Sequence, residues 1–218
     1  MCGGFSLAVR KNIIKKRFKA TMDGIISPNY NARPGQKLPV ILNTNPSKVI
    51  MAKWGYLPHF IKDSKMRAQI NARGETIDEK RFFSDSFKHR RCIVPADGFY
   101  EWQKVKGGKQ PYRIVIKSEG PFALAGIWDM GVDEKGKEIP VFTIITTEPN
   151  AVLKPIHDRM PVILREEDEE KWMSEDLSVD EAKKMLKPYP ARDMRARKIS
   201  KLVNYPGNNS PDVIEEVM

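Results

Sequence analysis

Cys2, the second residue of the chain, carries the most distinctive chemistry in the sequence. Initiator methionine is usually removed before a small residue, so we expect Cys2 to become an exposed N-terminus with a free α-amine beside its thiol. The amine titrates near about 7.7–8.0 and the thiol near about 8.5, so both are usable nucleophiles at neutral pH. Such a 1,2-aminothiol condenses with an aldehyde to an imine and then, through sulfur, to a five-membered thiazolidine. The open alternative is a small apolar residue buried near the chain end.

The residues around the two cysteines differ. Gly3 and Gly4 follow Cys2 and, having no Cβ, allow a bulky substrate to approach the backbone. Cys92 lies in the strand-like apolar run Arg91–Val94, and we predict that it is a core residue.

Two further segments are more polar than a core strand requires. Asn71 and Arg73 are two residues apart and share one face if the segment is extended. Glu101 lies between Tyr100 and Trp102, and a carboxyl group beside aromatic rings has a raised pKa that suits it to donate and accept a proton. The structural alternatives are an asparagine that satisfies buried backbone groups and a salt-bridged surface glutamate.

A third polar segment contains His157, followed by Asp158 and Arg159, between two prolines that restrict the loop. Histidine titrates near neutrality and is the usual proton shuttle. Alternatively, the acid and the base only cap the loop. We predict His157 as a catalytic residue together with Cys2, Asn71 and Glu101.

The formal net charge of +10 over 218 residues favours a polyanionic partner, with nucleic acid first. Two cysteines are too few for a disulfide scaffold and fit a reducing compartment. No apolar run is long enough to span a membrane, and the first residues do not form a secretory signal. We therefore expect a cytoplasmic, nucleoid-associated monomer.

Several familiar site types are missing from the sequence. There is no P-loop, no dinucleotide-binding glycine motif and no nucleophile elbow. The two cysteines and three histidines show no zinc-ligand spacing. We expect neither a cofactor nor a metal.

Runs rich in β-branched and aromatic residues predict strands at Pro39–Leu42, Val49–Tyr56, Cys92–Val94, Tyr112–Ile116, Phe122–Trp128 and Val141–Thr147. Gly107-Gly108 predicts a hairpin tip. Fewer segments predict helices: Val9–Phe18, Thr76 to about Lys88, Glu166–Met173 and Ser178 to about Leu186. This pattern predicts an α+β fold, a single domain over residues 1–218 with a central mixed or antiparallel, partly barrel-like sheet and a few peripheral helices.

Six motifs occur in order along the chain and together resemble the SOS response-associated peptidase family of abasic-site processing proteins. They are Met-Cys-Gly at the start, Tyr30-Asn-Ala-Arg-Pro-Gly35, Lys53-Trp-Gly-Tyr-Leu-Pro58, Asn71-Ala-Arg-Gly-Glu-Thr76, Pro95-Ala-Asp-Gly-Phe-Tyr-Glu-Trp102 and His157-Asp-Arg-Met-Pro161. A later stretch, Val203-Asn-Tyr-Pro-Gly-Asn208, resembles the closing motif of the family more loosely.

The resemblance implies that the chain senses abasic sites in single-stranded DNA and shields them by a thiazolidine crosslink through mature Cys2. Asn71 would hold the reactants, Glu101 would open the sugar ring and assist reversal, and His157 would move the proton for imine formation. The family also implies self-processing that removes Met1 and a lyase-type activity, although ordinary aminopeptidase trimming would suffice for a single residue.

The resemblance also implies a DNA-binding set. Arg73 and Arg159 would hold phosphates beside the lesion, and Trp54 and Pro34 would stack on bases or wedge between them. The family usually has arginine at the fourth position, where this chain has Gly4, and we expect Arg33 or a neighbouring lysine to supply the missing charge.

Two other functions remain open from the residues alone. An amidotransferase with an N-terminal cysteine nucleophile also begins Met-Cys-Gly, but its glutamine-binding segments are not found here. A non-catalytic single-strand binder would need only the positive charge and the aromatic residues.

Overall fold

The computed structural model describes residues 2–24, 27–61, 66–118, 120–133 and 135–217. Within these ranges the strands are β1 (Phe5–Leu7), β2 (Thr21–Met22), β3 (Asn29–Ala32), β4 (Lys37–Leu42), β5 (Lys48–Trp54), β6 (Asn71–Arg73), β7 (Arg91–Ala96), β8 (Gly98–Val105), β9 (Gly108–Ile116), β10 (Phe122–Val132), β11 (Glu138–Thr147), β12 (Met160–Pro161), β13 (Ile163–Leu164) and β14 (Met194–Lys198).

The same ranges contain the helices α1 (Lys11–Phe18), α2 (Ser84–His89), α3 (Glu166–Met173) and α4 (Val179–Met185). Short 3-10 helices occupy Gly74–Thr76, Ala191–Asp193, Lys201–Asn204 and Pro211–Ile214. The start of α4 is set by Ser178, whose hydroxyl accepts a hydrogen bond from the backbone N–H of Glu181 at 3.3 Å. None of the helices in the described ranges is long and apolar enough to cross a membrane.

Five strands form a closed, barrel-like sheet in the order β11, β10, β7, β4, β5 and back to β11. Four of these pairings are antiparallel, whereas β5 and β11 run parallel, with Phe142 opposite Trp54. β6 pairs with β11 further along the same edge as β5, also in parallel, with Asn71 opposite Ile144. This arrangement places Asn71 at the end of the closed sheet from which the loop after β11 departs.

A second sheet is antiparallel throughout and has the order β14, β9, β8, β1, β3. Its central strands contribute Phe5, Phe99 and Ile114 to a hydrophobic cluster that also contains Trp54 and Phe142 of the closed sheet. The two sheets therefore share one core, because each buries one apolar face against the other. A further cluster lies beneath the helices and includes Ile14, Phe87, Trp172 and Ala182.

The predicted α+β class with a mixed, partly barrel-like sheet is confirmed, and each of the six predicted strands is present. Helices α1, α3 and α4 confirm three of the four predicted helical segments. The helix predicted from Thr76 is wrong in its extent, because the chain makes successive turns up to Phe83 and α2 begins only at Ser84. Phe82 and Phe83 pack their rings against Tyr56, and this tertiary contact outweighs the local helix signal.

Candidate active site around Cys2

The position of Cys2 follows from the strand that it precedes. β1 pairs with β8 with Phe5 opposite Phe99, and the backbone N–H of Tyr100 donates to the carbonyl of Gly4 at 2.9 Å. Continuing this antiparallel register sets Glu101 opposite residue 3. The second sheet therefore brings the buried carboxyl group of Glu101 next to Cys2.

Cys2 itself is fully buried in the chain that carries Met1, with 0% of its surface exposed. In this state the residue packs into the hydrophobic core that the two sheets share, and its exposure after removal of Met1 stays a prediction. Its thiol donates to the carbonyl of Gly4 across 3.7 Å. Burial raises the pKa of this thiol to about 12, and the negative charge of Glu101 adds to the rise. The thiol is protonated at neutral pH.

Asn71 contacts the reactive segment directly from the end of β6. Its Nδ2 donates to the carbonyl oxygen of Cys2 at 2.9 Å. Its Oδ1 is buried and, among the described residues, has no hydrogen-bond partner. Because a buried acceptor without a partner is costly, this oxygen is well placed to receive an amine or a hydroxyl group that enters the site.

Glu101 and His157 lie next to each other beside Cys2. Glu101 is 1% exposed, and its Oε2 lies 3.8 Å from Nε2 of His157, whose side chain is 25% exposed. Burial raises the pKa of Glu101 to about 7, and the charge of Asp158 raises it further. Burial lowers the pKa of His157, although Asp158 opposes that effect. Both shifts favour the uncharged forms, so the site suits a protonated carboxyl group beside a neutral imidazole.

The loop after His157 supports its ring in both protonation states. The backbone N–H of Arg159 donates to Nδ1 at 3.1 Å, which suits the neutral ring with its proton on Nε2. Oδ1 of Asp158 lies 2.8 Å from the same Nδ1, which suits the protonated ring. Nδ1 thus has a donor and an acceptor within reach, and the ring can gain or lose a proton without being reoriented.

The two arginines predicted to hold phosphates differ in their surroundings. Arg73 ends β6 with an exposed side chain. Arg159 makes a two-point ion pair with Glu75 through its Nη atoms, at 2.6 and 2.8 Å, and Nη2 also donates to the carbonyl of Thr146 at 2.6 Å. Arg159 can therefore bind a phosphate in the same two-point manner only after its ion pair with Glu75 has opened.

Trp54, predicted to stack on bases, is buried with 0% of its surface exposed. Its Nε1 donates to the carbonyl of Ile70 at 2.8 Å, and its ring lies between those of Phe5 and Phe142. The stacking role is therefore wrong, because alternation along β5 turns this side chain into the core. Pro34, in contrast, is exposed at the turn after β3 and stays a candidate wedge residue.

Arg33 is half-buried beside the reactive segment and donates to the carbonyl of Gly3 at 3.2 Å. Its other donors contact the side chain of Asn31 and the carbonyl of Val203. The predicted positive charge is therefore present near Cys2, but it is engaged by the protein itself.

A groove of about 500 Å³ beside the end of β5 was not predicted from the sequence. Its lining includes Pro34, Lys53, Leu57, His59, Arg67 and Ile70. Ile70 directly precedes Asn71 in the sequence. Phe60, also missed, has an exposed ring near this groove with the guanidinium of Arg81 at 5.7 Å from its centroid. The sequence analysis singled out Trp54 in this stretch of chain and did not consider Phe60.

Together the fold and the site define a class of protein in which a cysteine close to the start of the chain lies beside a buried glutamate and a partly exposed histidine where two sheets meet. The chain belongs to the SOS response associated peptidase (SRAP) family, whose model matches residues 1–206.

Named relatives of the chain come from bacteria and vertebrates. It is 40% identical to the abasic site processing protein YoqW of Bacillus subtilis, over 99% of each chain. It is 32% identical to the abasic site processing protein HMCES of Xenopus tropicalis, over 88% of this chain and 67% of that protein. A crystal structure of a Bacteroides thetaiotaomicron protein superposes with a TM-score of 0.90 at 31% identity, covering both chains fully.

Proposed function

We propose that this protein senses abasic sites in single-stranded DNA and joins itself covalently to them through Cys2. The single observation that carries the proposal is the contact of the Asn71 amide with the Cys2 carbonyl, beside the Glu101–His157 pair. The family and the names of the relatives support the choice of an abasic site as the substrate. The net charge of +10 supports nucleic acid as the partner.

The first step in this proposal is removal of Met1, which converts the backbone nitrogen of Cys2 from an amide into an amine. The amine attacks C1′ of the ring-opened abasic sugar, and loss of one water molecule gives an imine. The thiol then adds across the C=N bond: sulfur bonds to carbon, and the thiol proton ends on nitrogen. The product is a thiazolidine. Hydrolysis of the Met1–Cys2 bond consumes one water and releases methionine, and the crosslink is then the sum of trimmed protein and DNA minus one water.

The amine must act before the thiol, because burial holds the thiol in its protonated form. Glu101, with a pKa of about 7, is suited to donate a proton to the departing water and to accept one from the thiol. His157 is suited to return that proton, since its Nε2 faces the Glu101 carboxyl group. Asn71 holds the cysteine backbone while its free Oδ1 accepts from the amine or from a sugar hydroxyl.

The DNA path is assigned to the exposed groups around this centre. Arg73, and Arg159 once it parts from Glu75, would bind the flanking phosphates. Pro34 would wedge beside the lesion, and Phe60 takes the stacking role that the buried Trp54 cannot perform. Stacking on an aromatic ring tolerates any base, as a lesion sensor requires.

Two finer activities complete the proposal. Removal of Met1 would be self-processing by the same cysteine or ordinary aminopeptidase trimming. Reversal of the crosslink, a lyase-type step, would use the Glu101 carboxyl group to protonate the ring as it opens. We propose a monomer in a nucleoid-associated, cytoplasmic setting, and neither activity calls for a cofactor.

The test is incubation of the purified protein with an oligonucleotide that carries one abasic site, followed by a denaturing gel. We expect a heat-stable adduct with the abasic strand and none with the same strand carrying an intact base. A non-covalent single-strand binder would retard both strands on a native gel and leave no adduct under denaturing conditions, which would overturn the proposal.

A further inference from the structure

The space that a side chain at position 4 would need is occupied by neighbouring side chains, which explains why a glycine stands there. A Cβ built at Gly4 would lie 2.9 Å from Nη1 and 3.1 Å from Cζ of Arg33, and 3.2 Å from Cδ2 of Tyr100. The φ angle of Gly4 lies outside the left-handed range, so the backbone there suits any L-residue. The glycine is therefore explained by the neighbouring guanidinium and not by the conformation of the chain.

The Arg33 guanidinium hydrogen-bonds one segment near the start of the chain and another near its end. Its Nη1 donates to the carbonyl of Gly3 at 3.2 Å, and its Nη2 donates to the carbonyl of Val203 in the 3-10 helix Lys201–Asn204. One side chain thus hydrogen-bonds the residue after Cys2 and a turn about two hundred residues later in the sequence. The rigid planar fork of arginine donates to both carbonyls in a fixed geometry, whereas a lysine ammonium on its flexible stem would hold them less firmly.

Other contacts hold this guanidinium in one orientation. Nε donates to Oδ1 of Asn31 at 2.8 Å, and the amide nitrogen of Asn31 donates in turn to the carbonyls of Val203, Tyr205 and Asn208. Cζ lies 5.3 Å from the centroid of the Trp102 ring, whose Nε1 donates to Oδ1 of Asn204 at 2.7 Å. Arg33 is therefore fixed from both sides, and its donors are engaged within the protein.

We propose that Arg33 is a positioning residue that fastens the Cys2–Gly4 segment to the C-terminal 3-10 helix, and that Gly4 leaves the space its guanidinium needs. This inference rests on the proposed function and deepens it, since the reacting nitrogen and sulfur belong to the fastened segment. It also changes the role expected of Arg33: the side chain orients the nucleophile instead of binding a DNA phosphate.

The experiment separates reaction from binding. Crosslinking to an abasic oligonucleotide is measured in single-turnover form at saturating protein, and affinity is measured with a non-reactive tetrahydrofuran analogue of the site. We expect Arg33→Ala to slow crosslinking at saturation by about tenfold, because the reacting groups are held less firmly. Affinity for the analogue and its salt dependence should stay within about twofold of the parent values. Arg192→Ala, which removes an 86% exposed arginine side chain, is the matched control.

A double variant that moves the arginine from position 33 to position 4 tests whether these two positions share one space. Gly4→Arg alone should slow crosslinking, because the new side chain meets the Arg33 guanidinium. The double variant Gly4→Arg/Arg33→Ala should recover most of the parent rate, because a guanidinium then enters the same space from the other strand. Arg33→Lys should give an intermediate rate, and it keeps the test usable if Arg33→Ala fails to fold.

Two outcomes would overturn the inference. One is an Arg33→Ala protein with the parent rate at saturation but weaker, less salt-sensitive binding, which is the behaviour of a phosphate contact. The other is a double variant no faster than Arg33→Ala.

Hydrogen exchange of the DNA-free protein keeps the inference distinct from the proposed function. Arg33→Ala should accelerate exchange in residues 3–7 and 199–209 together, with the closed sheet unchanged. If no variant forms an adduct while this paired acceleration is seen, the proposed function fails and the fastening role stands. Exchange that accelerates in neither segment, or in only one of them, overturns the fastening role.

Discussion

Oε2 of Glu101 and Nε2 of His157 face each other at 3.8 Å, at the border between the core and the solvent. The carboxyl group is buried and the imidazole is partly exposed, so the pair spans the boundary that a proton must cross to reach Cys2. Burial shifts their pKa values towards each other, upward for the acid and downward for the base. Each of the following predictions depends on this pair or on the contacts that surround it.

Glu101→Gln should slow crosslinking and stabilise the protein at the same time. Loss of the acid–base group should lower the single-turnover rate by about a hundredfold. The folded-state pKa of about 7 exceeds the ordinary glutamate value of 4.5, so the carboxyl group favours folding at low pH and loses that contribution as pH rises through 7. At about pH 8 the variant should therefore be more stable to urea by as much as about 3 kcal/mol.

The control for that experiment is the pH dependence of the parent. Its stability should fall between about pH 4.5 and 7 by more than that of the Gln variant, since only the parent gains a buried charge over this window. Equal slopes of stability against pH for the two proteins would show that the pKa of Glu101 is not raised.

Asp158→Asn should move the pH profile of crosslinking towards acid. The charge of Asp158 raises the pKa of both Glu101 and His157, so its removal lowers both. The measurement is the single-turnover rate between about pH 5 and 9, with Glu175→Gln as an exposed control that carries the same change of charge. A profile that keeps its position, or shifts towards base, would contradict the arrangement around His157.

Cys2→Ser should separate the amine from the thiol. The variant keeps the α-amine after Met1 is removed, so it should form an imine that borohydride traps, but no adduct that survives heating without reduction. Cys92→Ala serves as the control, because Cys92 is buried in the core and distant in sequence from the reactive segment. It should crosslink normally while losing about 1 kcal/mol of stability. A heat-stable adduct from unreduced Cys2→Ser would place the bond elsewhere.

Glu75→Gln should tighten DNA binding by releasing Arg159. The Glu75 carboxylate now occupies both Nη atoms of that arginine, and Arg159 in turn lowers the pKa of Glu75. With the charge removed, a phosphate can take its place, and the slope of log affinity against log salt should steepen by about one. The measurement is a salt titration with an abasic-site analogue; Arg73→Ala, at an exposed arginine, should flatten the slope by a similar amount. Unchanged slopes would exclude both arginines from the DNA path.

How much of the fold was predictable depends on the range of the forces involved. The strands could be predicted because runs of β-branched and aromatic residues reflect both the local preference for extended backbone and burial, as in β10 and β11. The turns before α2 could not be predicted, because the positions of Phe82 and Phe83 depend on their ring contacts with Tyr56, which is distant in sequence. The closure of the sheet by β5 and β11 is likewise a long-range pairing that no local pattern records.

The site residues divide in the same way. Residue type identified Glu101, Asn71 and His157 as candidates, and the structure brings them together around Cys2. Exposure could not be inferred: Trp54 points inward, and Cys2 is buried. The burial of these two side chains depends on which face of a strand packs against the second sheet. The sequence pattern predicts that face poorly where residues on both faces are apolar.

The intact mass of the purified protein, alone and after incubation with an abasic single strand, tests the central claim most directly. The account predicts a protein that lacks Met1 and an adduct whose mass is the sum of trimmed protein and oligonucleotide minus one water. A protein that retains Met1 and still forms the adduct, or a trimmed protein that forms none, would contradict it.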